Sequence, residues 1–190
     1  MKKWIAMFLT IVVLLSAAAC RRKPAEETIT TNGTEQTNQT AGNTPLPGTM
    51  AENVDKIMAQ NPAQFMGGQM PVDLQDTTAE GLEALKGFTG LDTPEKVKDI
   101  AVYEPMMGSQ AFSLVLVRVT ERADAQAIAQ QMKANINPRK WICAMADQVM
   151  AAGYEDVVMF VMLDTKLGLT AQSYVDTFAA ICGGNLDFTI

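Results

Sequence analysis

No histidine occurs anywhere in the chain. Its absence removes Ser-His and Cys-His nucleophile pairs, imidazole metal sites and the usual general base near neutral pH. No Gly-rich phosphate loop, Ser-x-x-Lys motif or Asp-rich calcium loop is present either. The adjacent acids are Glu26-Glu27 and Glu155-Asp156, and the second pair falls in a hairpin turn, where solvated charge is ordinary. The most distinctive run is Asn137-Pro138-Arg139-Lys140-Trp141-Ile142-Cys143. Arg139 and Lys140 beside the Trp141 ring are candidate contacts for an anionic or planar ligand. The competing expectation is structural: Asn-Pro opens a turn, Trp141 and Ile142 enter the core, and both cations stay in water. No residue set is assigned a catalytic or metal-binding role, and no cofactor is expected.

Sulfur chemistry is the remaining resource. Cys143 and Cys182 are candidates for a disulfide, but a bridge needs their Cα atoms within about 7 Å. A strand at Cys143 and a helix at Cys182 fit two separately buried thiols better. Gly67-Gly68, after Phe65 and Met66, reads as a turn, with a ligand-approaching loop as the alternative. The methionines read as core filler rather than a metal or peptide groove.

Cys20 is different because of what precedes it. Lys2 and Lys3 form a positive n-region, Trp4 to Leu15 is apolar, and Ser16-Ala17-Ala18-Ala19 supplies small residues before a cleavage site. The 16 residues from Trp4 to Ala19 fall short of the about 20 that a helical span needs. Ala18-Ala19-Cys20 resembles the lipobox of bacterial lipoproteins, although leucine is usual where Ala17 stands. That resemblance implies diacylation of the Cys20 thiol and an N-terminus at Cys20. The expectation is a signal peptide over 1–19 and a lipid anchor at the outer face of the cytoplasmic membrane.

Without residues 1–19 the chain keeps 13 basic against 21 acidic side chains, a net charge of −8. Such a field disfavours nucleic acid and leaves the lipid anchor as the expected membrane partner. The one basic run, Arg21-Arg22-Lys23, lies beside the lipidation site, where it suits anionic headgroups. Residues 20–49 are rich in Thr, Asn, Gln and Glu, with Ile29 and Leu46 the only bulky apolar residues, and read as a disordered tether. Asn32-Gly33-Thr34 and Asn38-Gln39-Thr40 match the glycosylation pattern by chance in this Thr-rich tract.

Residues 50–190 are long enough for one domain. Thr49-x-x-Glu52 is a capping box ahead of Met50, Val54 and Ile57, and Thr77-x-x-Glu80 repeats the signal ahead of Leu82 and Leu85. Ile100–Tyr103, Ala111–Val119 and Asp156–Leu163 read as strands, the last two apolar on both faces. Gln148–Ala152 pairs with the last of these across a turn at Gly153, and Trp141–Met145 fits either strand or helix. Helices are expected around Ala125–Met132 and from Thr170 to Cys182. The fold class is α+β: a mixed or antiparallel sheet of four to five strands in β-β-α-β-β-α order, preceded by helices. The 123–135 and 170–182 helices are expected on one face and the 50–87 helices on the other face or an edge.

NPAQFMGGQMPVD, AFSLVLVRV, NPRKWICA and DVVMFVML together resemble a group of small lipoproteins of Gram-positive, clostridial-type anaerobes with no assigned activity. The resemblance implies an extracytoplasmic lipoprotein and no particular site residues. The expected role is an accessory or binding module of the cell envelope. Alternatives are an envelope enzyme using carboxylates or Arg139 and Lys140, or a structural subunit of a membrane complex.

Overall fold

The computed structural model describes residues 44–190. The signal peptide, Cys20, Arg21–Lys23 and the expected tether up to residue 43 lie outside the described residues. The element order is α1 (Met50–Gln60), β1 (Gly67–Met70), α2 (Ala79–Thr89), β2 (Val97–Pro105), β3 (Phe112–Val119), α3 (Ala125–Asn135), β4 (Gln148–Tyr154), β5 (Val157–Leu163), α4 (Ala171–Ile181) and β6 (Phe188–Thr189). One antiparallel sheet of six strands runs β1-β2-β3-β5-β4-β6. Six replaces the expected four to five because β1 and β6 are too short, and β1 too glycine-rich, to carry an alternating pattern.

Alternation along the central strands explains the layers. Phe112, Leu114 and Leu116 of β3 join Val157, Met159, Val161 and Leu163 of β5 on one face, under α1 and α4. Val115, Val117 and Val119 join Val158, Phe160 and Met162 on the other, under α2 and α3. Every residue of β5 is buried, as cover on both faces requires. The helices therefore pair as α1 with α4 and α2 with α3, a correction to the expected grouping of α3 with α4.

Local chemistry sets the helix starts. Thr49 and Glu52 make the reciprocal capping box of α1, with Glu52 N–H donating to Thr49 Oγ1 at 3.2 Å. At α2 the cap is Thr78, one residue later than the sequence suggested, because Thr78 Oγ1 receives Gly81 N–H at 3.2 Å. Asp76 accepts both the main-chain N–H and the hydroxyl of Thr78, which fixes that residue as the cap. Gly153 lies inside β4, and the reversal is made by Glu155, at φ 53, and Asp156.

The last six residues assigned to the tether belong to the fold. Leu46 is buried in the α1/α4 core, Arg118 donates to its carbonyl at 2.6 Å, and the Tyr154 hydroxyl donates to Thr44 O at 2.8 Å. A single leucine between two prolines gives no periodic signal, which is why its burial was not legible.

Candidate functional site

The register brings the start of β1, the end of β2, the start of β3, the end of β5 and the start of β4 to one end of the sheet. Here Pro62 follows α1, Pro105 ends β2 and Pro138 follows α3, and none of the three can donate a main-chain hydrogen bond. The turns are stitched by main-chain bonds: Met106 N–H to Met66 O at 2.9 Å, Ile142 N–H to Gly108 O at 2.7 Å, and Ala146 N–H to Pro138 O at 2.9 Å. The side chains these turns carry outward are apolar. Met66 is 73% exposed, Met106 67%, Met107 60%, Ile142 74% and Met145 43%. No other large hydrophobic among the described residues is as exposed. The stretches Asn61–Met70 and Pro105–Val117 carry no charged side chain.

Lys140 anchors the loop that presents Ile142 and Met145. Its Nζ lies 2.5 Å from Glu104 Oε1 and 3.1 Å from Gly87 O, and about equally far from two ring centroids, 5.4 Å to Phe88 and 5.3 Å to Trp141. The side chains of this pair are only 16% and 11% exposed. Burial lowers the Lys140 pKa, and the charge and hydrogen bond of Glu104 work against that shift. A cleft of about 410 Å³ opens beside the pair, walled by Ala84, Gly87, Phe88 and Trp141. The expectation that Lys140 stays in water is overturned: its carboxylate partner stands 36 residues upstream, on β2. With its bonds going to Glu104 and Gly87, Lys140 works as a pin between loop, α2 and β2. Double occupation of the amine leaves it poorly placed to grip an anion.

Arg139 and Trp141 do stand together. They line a second cleft of about 260 Å³ with Cys143, Ala144, Met145, Asp164 and Lys166. Arg139 is exposed and forms no ion pair among the described residues. Trp141 is half-buried against the α2/α3 core, while Ile142 points out, contrary to its expected burial. The segment 141–145 is neither strand nor helix; the bond to Gly108 and the left-handed Cys143, at φ 59, turn it instead.

The two thiols are unbridged. Cys143 is exposed rather than buried, and Cys182 is buried at the end of α4. Burial, helped by the charge of Asp187, pushes the Cys182 thiol up to about 12. Gly67-Gly68 is an edge strand and not a turn. A side chain on Gly67 would stand 2.7 Å from the Tyr103 ring and 2.9 Å from Glu104 O.

At the opposite end, Glu155 is buried instead of solvated. Its carboxylate meets Arg122 at 2.7 Å, and Arg122 also reaches Asp187 at 3.2 Å. Among the described residues no group of three or more His, Cys, Asp or Glu side chains is arranged to hold a metal, and no helix is long and apolar enough to cross a membrane.

No family model, curated protein or solved structure matches the chain. Sequence reasoning missed Met66, Met106, Met107 and Met145 as surface residues. For Met106 and Met107 the signal was their neighbours, since PMMGSQ sets them between proline and glycine in a turn; Met66 and Met145 carry no such signal.

Proposed function

We propose that the protein is a lipid-anchored extracytoplasmic lipoprotein whose folded domain is a binding module of the cell envelope, allied to the small lipoproteins it resembles. The observation that carries the reading is the gathering of the exposed large hydrophobics at one end of the sheet. Large apolar side chains exposed together cost solubility and mark an interaction site, here bordered at Met145 by Arg139 and Lys166. The adaptable methionine side chain suits a partner's surface.

The direction of the chain supports the same reading. Thr44 and Leu46 join the fold beside Tyr154 and Arg118, at the end of the sheet remote from Met66 and Met106. A tether arriving there leaves the apolar end free to meet another envelope protein. An enzyme built on Lys140 has less support, because its amine is engaged by Glu104 and Gly87.

Two measurements test the proposal. A Cys20→Ala chain should leave the membrane fraction and lose palmitate labelling; retention without label points to an uncleaved helix. A photoactivatable phenylalanine analogue at position 107 should give one discrete protein adduct in cells, and the same analogue at position 126 of α3 should give none. Identical adduct patterns at the two positions would remove the docking surface.

A further inference from the structure

Among the described residues, exposed sulfur is confined to the apolar end. Among the described residues the exposed methionines are Met66, Met106, Met107 and Met145, and the exposed cysteine is Cys143. The other described methionines are buried or half-buried, and so is Cys182. An apolar docking surface needs only hydrocarbon, which leucine, valine and phenylalanine elsewhere in this chain supply. The thioethers at this place add to that hydrocarbon a polarizable sulfur ligand.

The geometry suits ligation. The β1–β2 register pairs Gly67 with Pro105, and the Met106 N–H to Met66 O bond of 2.9 Å carries it one step further, setting Met66 opposite Met106. Directly opposed residues in an antiparallel pair send their side chains to the same face, with Cβ atoms about 5 Å apart. The neighbouring position on that face is Gly68, which has no side chain; the Met106 methyl lies over it, 3.7 Å from where a Cβ would stand. Two long, unbranched thioethers thus share an open face above bare backbone, and Met107 follows immediately in the turn. The same face carries Glu104, opposite Gly68, whose carboxylate holds the Lys140 ammonium at 2.5 Å, so that pair adds no net charge beside the thioethers.

We propose that Met66, Met106 and Met107 form a binding site for a soft monovalent cation, Cu(I) or its analogue Ag(I). Neutral, polarizable thioethers select such d10 ions over hard divalent cations. The chain offers no imidazole, so the ions that favour nitrogen ligands find no competing site of that kind. Binding needs no electron transfer, because the ion enters and leaves as the monovalent species. The site stands independently of the docking reading, which needs only the apolar character of the surface.

The test uses the mature chain from residue 20 carrying Cys20→Ser and Cys143→Ser, with its methionine methyl groups labelled with carbon-13, titrated with silver nitrate. The methyl signals of Met66, Met106 and Met107 should move at one equivalent of Ag(I), while those of the buried Met50, Met132, Met159 and Met162 stay in place. Adding Met66→Leu and Met106→Leu should weaken Ag(I) binding by about tenfold or more. The same pair should leave the melting temperature unchanged, because both side chains are exposed and leucine keeps their apolar character. Unmoved methyl signals at one equivalent would overturn the site. So would an affinity lost with Cys143→Ser alone, or one that survives the double leucine variant.

Discussion

The two ends of the sheet solve the same problem in opposite ways. At the end where the chain joins the fold, Leu46 lies over the core, Arg118 and Tyr154 hold the 44–46 carbonyls, and Arg122 ties Glu155 to Asp187. Phe188 packs against the bare face of Gly153, where any Cβ would collide with its ring. The charged side chains there meet opposite charges and the apolar ones are covered, although Glu155 Oε1 and Asp156 Oδ1 accept no hydrogen bond. The other end leaves Met66, Met106, Met107 and Ile142 in water, although the same chain shows that it can cover such residues. Stability accounts for the first end. It does not account for the exposed side chains of the second, where Phe65, Tyr103 and Tyr174 pack on Phe112, main-chain bonds join the turns and one buried ion pair pins the loop.

The largest effect that would sharpen this contrast falls on that ion pair. Lys140→Met strands the Glu104 carboxylate and should cost about 3–5 kcal/mol, whereas Lys140→Met with Glu104→Leu should lie within about 1 kcal/mol of the parent. Denaturant midpoints of the three chains would show it; a single variant no worse than the double would mean that Glu104 is solvated. The pair also predicts a pH effect. Folding lowers the Lys140 pKa from 10.5, so between the lowered value and 10.5 the unfolded chain holds more protons. The parent should therefore gain stability relative to the double variant as pH rises through that window, and the full burial cost should persist below it.

Next comes the covered end. Leu46→Ala should cost about 2–4 kcal/mol, a value for a core leucine and not for a tether residue. A loss below about 0.5 kcal/mol would return residues 44–49 to the linker and dissolve the contrast between the two ends.

The smallest effect belongs to the exposed end. Met107→Ser and Ile142→Ser should each shift stability by under about 0.5 kcal/mol. Solubility should rise as the apolar patch shrinks. A destabilisation of several kcal/mol, read by the same melts, would make the end part of the core.

Legibility followed the strength of the repeating pattern. Met50, Val54 and Ile57, like Ala125, Ile128, Ala129 and Met132, recur at helical spacing and lie buried in α1 and α3. The continuous apolar run Val157–Leu163 announced a strand covered on both faces. What failed was whatever lacked repetition: the Gly67–Met70 edge, the two residues of β6, and the lone Leu46. The Lys140–Glu104 pair was hidden for another reason, since a buried charge is identified by its partner and only the fold supplies that partner. At the candidate site, the arginine, lysine and tryptophan drew attention by type. The methionines did not, because methionine is ordinarily interior and only Pro105 and Gly108 marked the turn that holds Met106 and Met107.

The stitching of the exposed turns has an evolutionary consequence. Met106 to Met66, Ile142 to Gly108 and Ala146 to Pro138 are joined through main-chain atoms, which any residue except proline at the donor position supplies equally. The frame of these loops is therefore indifferent to the side chains mounted on it. Substitutions at 66, 106, 107 and 142 that keep a main-chain donor leave these bonds in place, so the exposed surface can change while the scaffold stays intact.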